Sequence, residues 1–388
     1  MLSQIELLAA ACTKLDKQGL AVLPKRCLRS RHLQSTCRVC SSACPNDAIS
    51  CEEGLNLTPE KCTGCGACTA VCPSGALAAK LPSNQEVHPL VAAHVERSGA
   101  VAFACETYLS AHPDERQRVI AVPCIVRCDE SVLVDAVLRG AASVTLINAA
   151  CADCRQNKVC EQARTTADTA KRLLESWNYP AVFMLSPVIP ATVKALPKPG
   201  NVAGGMSRRN FLTAFTRKSE SLATQMLPEI ISAAVNNNPD NTDELANPME
   251  EPKHLPAKWC SLRQSIRQIP AAPVIDDFPS SLWGDICIAA SCNGCGACVE
   301  ACPTAAIVAF RQEGKWGISL DISLCTQCGL CKDICCGESI TMESTVRLTA
   351  VLDSSPRVLI EKELTELDNL LEAPEQRITR LLGCAVKY

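Results

Sequence analysis

Residues 62–73 read CTGCGACTAVCP, residues 292–303 read CNGCGACVEACP and residues 325–336 read CTQCGLCKDICC. Each stretch sets four cysteines at one spacing: Cys62, Cys65, Cys68 and Cys72; Cys292, Cys295, Cys298 and Cys302; Cys325, Cys328, Cys331 and Cys335. No other feature restricts the fold as strongly, because three thiols two residues apart must share one tight loop. Gly64, Gly66, Gly294 and Gly296 let that loop turn where a Cβ would obstruct it, and Pro73 and Pro303 fix φ at its exit. In the last copy Cys336 stands where the proline would be.

A further copy lies upstream. Shifted by 28 residues, Cys37, Cys40 and Cys44 of QSTCRVCSSACP align with Cys65, Cys68 and Cys72, and the tail CPNDAI aligns with CPSGAL. The first cysteine of the pattern then falls on Gln34, a poor ligand for iron. The nearest thiols are Cys27 and Cys51. Cys27 is the preferred replacement, since residues 28–36 can loop back while the rest of the motif keeps its register. His32 is the competing ligand, and a three-cysteine [3Fe–4S] site or an empty one stays open.

The chemistry that uses this spacing is a [4Fe–4S] cubane, in which three closely spaced thiolates and a distant fourth hold four irons. Zinc prefers paired knuckles, four ligands to a site. The motifs resemble the bacterial 2[4Fe–4S] ferredoxin family, over about 50 residues for each pair. The resemblance implies crosswise ligation: Cys27, Cys37, Cys40 and Cys72 for one cluster, Cys62, Cys65, Cys68 and Cys44 for the next. In the second pair it implies Cys292, Cys295, Cys298 and Cys335 for one cluster, and Cys325, Cys328, Cys331 and Cys302 for the other.

The stretch between the pairs has another texture. AVAFAC, RVIAVPC, SVTLIN and AVFML are short runs suited to buried strands, and helix-like segments alternate with them, with Asp129 as an N-cap. This alternation predicts a parallel α/β sandwich whose ligands gather at the carboxyl ends of the strands. Cys105, Cys124 and Cys151 fall at or just past such ends, and Cys128, Cys154 and Cys160 follow closely. The stretch VPCIVRCDESVLVDAVLRGAASVTLINAACADC resembles the delta subunit of methyl-viologen-reducing hydrogenase, over about 80 residues. That family is associated with a [2Fe–2S] cluster and carries electrons between hydrogenase and heterodisulfide reductase. Where it has its second cysteine, this chain has Tyr108. A redox-active dithiol at CADC and inert buried thiols are the other readings of these residues.

The expected fold is thus α+β and multidomain, with two ferredoxin-like dicluster modules flanking a small parallel α/β sandwich domain. The expected divisions are 1–90 (an N-terminal helix with Ile5, Leu8 and Leu15 on one face, then the first module), 91–186 (the α/β domain) and 187–258 (a linker). The second module follows at 259–350 and a helical tail at 351–388. The linker contains SRRNFL at 207–212, which resembles a twin-arginine signal far from any N-terminus, and a polar tether at 235–257. It reads as a basic helix start, with Met206 marking a fusion point between two halves.

With 28 cysteines in 388 residues, the choice is between many disulfides and many metal ligands. Glu6 interrupts the only apolar run near the N-terminus, which argues against a secretory leader or a lipoprotein site at Cys12. Metal ligands in a cytoplasmic protein are therefore expected. No run of 18 apolar residues predicts a membrane span, and a net charge of −3 argues against nucleic-acid binding. No nucleotide-binding loop or hydrolase triad is present.

The expected function is electron transfer in anaerobic metabolism through four [4Fe–4S] clusters, with a [2Fe–2S] centre implied in the middle. The partners would be redox proteins such as a hydrogenase, formate dehydrogenase or molybdenum reductase, where the substrate chemistry would occur. The alternatives are a disulfide-reducing enzyme using the middle thiols and a redox sensor or cluster-delivery protein.

Overall fold

In the first ferredoxin-like module the chain makes little regular structure. Strand Leu20–Val22 pairs antiparallel with Leu77–Ala79, and Ile49–Ser50 pairs with Asn56–Leu57. Two five-residue helices, Val39–Ala43 and Ala67–Val71, follow the two cysteine loops. The computed structural model describes residues 19–52, 54–180, 182–196 and 254–363. These belong to one compact unit. The N-terminal helix, the SRRNFL stretch, the polar tether up to residue 253 and the tail beyond 363 lie outside the described residues.

The middle of the chain builds a four-stranded parallel sheet in the order Ile120–Val122, Ala100–Cys105, Ser143–Ile147, Val182–Ser186. The period of two along a strand sorts its side chains. Val101 and Phe103 face one side with Val144 and Leu146, under Val132, Leu133 and Leu173 of the covering helices. Ala100, Ala102 and Ala104 face the other side, where small side chains admit Leu109, Ile189 and Val193.

Three expected boundaries shift. Helix Asn84–Ser98 straddles residue 90 and buries Val87, Val91 and His94 against the sheet domain. A capping box of Ser83 and Glu86 starts it and Gly99, left-handed at φ 61°, ends it. His94 is thereby a core residue rather than a surface one. The start of the expected linker is packed rather than free: Ile189 and Val193 are buried, and Arg118 donates to the carbonyls of Pro190 and Val193. Residues 357–363, assigned by their periodicity to a helical tail, form a strand instead. Arg357–Glu363 pairs antiparallel with Lys315–Leu320, because the edge of that strand supplies the backbone partners that an isolated helical turn lacks.

The second module has a larger framework than the first. Lys315–Leu320 is the centre of a three-stranded sheet, and Trp283, Ile286 and Leu320 are fully buried around it. Helix Ala257–Arg267 precedes the module and sets Trp259, Leu262 and Ile266 into the same core as the sheet domain. The two modules also touch each other. Leu28, Ala301, Leu330 and Ile334 form one apolar seam, and Asp333 accepts hydrogen bonds from Thr36 N at 2.7 Å and Thr36 Oγ1 at 2.9 Å. Among the described residues no helix is long and apolar enough to cross a membrane.

Asp129 caps helix Glu130–Leu138, accepting from Ser131 N at 3.0 Å and Val132 N at 3.3 Å while almost buried. Asp129→Ala is expected to cost about 1–2 kcal/mol, read as faster hydrogen exchange in that helix.

Candidate metal centres

Three of the four cysteine loops are shaped by residues in a left-handed turn. Gly64 and Gly66 (φ 70° and 84°) serve the second motif, and Gly294 and Gly296 (φ 69° and 77°) the third. At Gly66 the need is doubled, since a Cβ there would come within 2.9 Å of the Arg127 side chain of the sheet domain. The first motif has no glycine at these places: Thr36 and Arg38 stand there, and Arg38 keeps an ordinary φ of −134°. The loop that lost its first cysteine is therefore also built on a different turn.

The structure gathers the sixteen expected ligands into four groups. Cys44 joins Cys62, Cys65 and Cys68 around one cavity. Cys37, Cys40, Cys72 and Cys27 line a second one. Cys292, Cys295, Cys298 and Cys335 line a third, with Cys336 beside them. Cys302 lies close enough to Cys325, Cys328 and Cys331 that its charge would oppose the ionisation of each. In three of the groups the thiol from the distant motif meets three from one loop; in the second, Cys72 meets Cys37 and Cys40 of the loop and Cys27 from upstream of it.

Burial governs the electrostatics of these groups. It pushes the thiols of Cys298, Cys325 and Cys328 up to about 12, with neighbouring thiols contributing. It raises Cys40 and Cys68 further, and raises Cys37, Cys62 and Cys65 as well. Such thiols are protonated at neutral pH, so a metal must displace their protons. Four soft thiols in a mostly apolar pocket suit iron and sulfide. Among the described residues no three His, Cys, Asp or Glu side chains converge tightly enough to hold a single metal ion.

The second cavity holds a fifth thiol. Cys51 also lines it, with its Sγ 3.6 Å from the Sγ of Cys40. His32 is not among the residues lining this cavity. The signal for Cys51 in the sequence was its distance from Cys44, seven residues, the same as that from Cys27 to Gln34.

In the sheet domain, Cys105 closes strand Ala100–Cys105 and its Sγ accepts from Tyr108 N at 3.5 Å. Tyr108, at the place of the family's second cysteine, is buried and its hydroxyl donates to Glu115. Cys124 is buried, which drives its thiol up to about 12, with Cys65, Cys105 and Cys154 near enough to add to the effect. Burial also takes Cys151 to about 12, and Cys160, Cys124 and Cys105 reinforce it. The structure thus brings Cys105, Cys124, Cys151, Cys154 and Cys160 to one end of the sheet. Cys128 is different: it is 1% exposed, inside the hydrophobic core, and Cys124 is the nearby thiol that affects it.

Small, cysteine-lined loops paired crosswise, on either side in sequence of a parallel sheet with thiols at its carboxyl edge, are loops of the iron–sulfur, ferredoxin-type class. Sequence families agree with that class. Residues 56–78 match the family described as 4Fe-4S binding domain, and residues 291–338 match the 4Fe-4S dicluster domain. Residues 98–184 match the family described as methyl-viologen-reducing hydrogenase, delta subunit. The chain carries two 4Fe–4S ferredoxin-type domains and, between them, a domain like the hydrogenase delta subunit. The altered motif at 34–45 lies outside these matches. No curated protein and no solved structure matches the chain.

Proposed function

We propose that the chain is an iron–sulfur electron-transfer protein that links redox partners through four [4Fe–4S] sites and a further thiol-bound centre in the sheet domain. When bound, each cluster takes up and gives back one electron. The chain's own part is to hold the sites in series and keep water from them.

One observation carries this reading: the thiol groups succeed one another across all three parts of the chain. Cys124 of the sheet domain neighbours Cys65 of the first module. Within that module the crossed ligands Cys44 and Cys72 tie the two loops together. Cys37, in turn, neighbours Cys328 of the second module, where Cys302 and Cys335 cross in the same way.

Side chains from other parts of the chain secure each junction. Gln162 donates to the carbonyl of Ala67 at 3.2 Å, and Gln156 donates to the Thr63 hydroxyl, so the sheet domain grips the loop that carries Cys65. Arg127 is 3% exposed and donates to the carbonyl of Pro82 and to Asn84 Oδ1, both at 2.7 Å. This holds its stem against Gly66. At the other junction Cys37 and Cys328 both pack against the Leu28–Leu330 seam. A cluster-delivery protein would gain nothing from sites buried in series, and a dithiol reductase would not need four of them. The delta-subunit likeness favours a hydrogenase-type partner at the sheet-domain end, with a formate dehydrogenase or molybdenum reductase as other partners of the same kind.

Anaerobic purification with iron and sulfide assays is the test. About 16 iron per chain is expected for the four cubane sites, or about 18 if the sheet domain adds a [2Fe–2S] cluster. Dithionite reduction should then give EPR spectra broadened by interaction between neighbouring sites. Zinc alone, or isolated spectra with no interaction, would defeat the proposal.

A further inference from the structure

The second cavity, also in the first module, presents five thiols where a cubane takes four. Cys37, Cys40 and Cys72 occupy the positions that the motif assigns, and both Cys27 and Cys51 face the same space. Both are buried, and both lie near enough to Cys37 to oppose its ionisation. We propose that Cys27 and Cys51 are alternative ligands for the iron that Gln34 leaves unclaimed, so that this cluster exchanges one thiolate without leaving the protein. The inference rests on the iron–sulfur reading of this module and goes beyond it in assigning Cys51.

Three observations support the assignment. Cys51 touches Cys40 at 3.6 Å, a van der Waals contact. Thiolates on separate irons of one cubane point away from its corners and are held apart by the inorganic core, so Cys40 and Cys51 cannot both bind at that separation. A small outward movement of Cys51 leaves Cys40 on its iron and frees Cys51 for the open corner.

The second observation is that one side chain ties the two candidate segments together. Arg29 lies two residues after Cys27 and donates from Nε to the carbonyl of Cys51 at 2.8 Å and from Nη2 to that of Glu52 at 2.8 Å. Its Nη1 donates to the carbonyl of Ser35, next to Gln34. The guanidinium thereby fixes Cys27, Cys51 and the altered corner in one assembly. A planar fork of donors does this, where a lysine could not.

The third is the turn itself. Without the glycines of the other motifs, the loop at Thr36 and Arg38 does not curl residue 34 toward the cavity. Ligands for that corner must then come from outside the loop, and the fold offers two.

The exchange balances without an oxidant or reductant. The Fe–S bond to Cys27 breaks, the Cys51 thiol gives up its proton as its sulfur binds the same iron, and Cys27 leaves as a thiol. The oxidation state of the cluster is unchanged.

Iron and sulfide content, with EPR of the dithionite-reduced full chain, tests this after anaerobic reconstitution. Cys27→Ala and Cys51→Ala should each keep wild-type iron within error, with shifted g values in at least one. The double variant should lose about four iron per chain, matching Cys37→Ala, which removes an assigned corner. The twelve thiols of the other three groups act as an internal control for folding, since a misfolded chain would lose far more. Loss of four iron in only one single variant would show a dedicated ligand and overturn the exchange. A double variant that keeps all its iron would remove both residues from the site. A wild-type chain with no iron in this module would instead overturn the iron–sulfur reading itself.

Discussion

Stripping iron and sulfide from the protein is expected to unfold residues 20–79 while the parallel sheet of residues 100–186 persists. The first module has almost no core of its own. Its buried cluster consists of Leu20, Ile49, Ala76 and Leu77 with five cysteines, Cys27, Cys40, Cys51, Cys68 and Cys72. Burying one large aliphatic side chain contributes about 1.5–3 kcal/mol, whereas ordering each residue of backbone costs about 1–2 kcal/mol. Three such side chains cannot hold a segment of this length, and its strands are only two or three residues long. Metal–thiolate bonds must supply the difference, so binding and folding are one process here. The sheet domain is built otherwise, on Val101, Phe103, Leu133, Leu146 and Leu173, none of which needs a metal. Hydrogen exchange before and after anaerobic treatment with an iron chelator should show complete loss of protection in 20–79 and little change in the central strands. Retained protection at Leu20–Val22 and Leu77–Ala79 after full iron removal would refute it.

Glu130→Ala is expected to destabilise the docking of helix Ala257–Arg267 by about 3 kcal/mol. Lys258 Nζ lies 2.5 Å from Glu130 Oε2, and both side chains are nearly buried, at 12% and 11% exposure. Lys258 also donates to the carbonyl of Ala70 at 3.0 Å, so its charge joins the second module's leading helix to the sheet domain and to the loop helix of the first module. Removing the carboxylate leaves an ammonium group between apolar surfaces with one neutral acceptor, and the desolvation penalty then stands uncompensated. The pair is far costlier to break than to replace: Glu130→Leu with Lys258→Met removes both charges and should recover most of the loss. Hydrogen exchange in helix Ala257–Arg267 measures the local opening directly. An equal loss in the double variant would mean that shape at this contact matters more than charge.

Much of the site was legible because its grammar is local. Cysteines three residues apart, glycines where the chain must adopt positive φ and a following proline describe a loop that closes within twelve residues, so a sequence alone reveals it. The strand runs of the sheet domain were legible for a similar reason: Val101 and Phe103 alternate with Ala100, Ala102 and Ala104 in the period that a pleated strand imposes. Helix Asn84–Ser98 was harder to see, since Pro89 interrupts its pattern and its start depends on a capping box of two side chains. Strand Arg357–Glu363 is not legible in the sequence because its alternation is weak, and its hydrogen-bond partner lies some 40 residues back in the chain.

The sequence by itself determined that thiols come in loop-sized sets and that a parallel sheet separates two pairs of them along the chain. Those features depend on spacing and periodicity, which act over one turn or one strand. Only the tertiary structure decided that Cys51 shares a cavity with Cys27, that Cys65 lies near Cys124 and that Cys37 lies near Cys328. Each of these meetings joins residues far apart in sequence or without a fixed spacing, and it exists because apolar seams, buried ion pairs and the Arg29 fork hold separate segments together. Such contacts depend on the surfaces that folding creates, and no period in the chain encodes them.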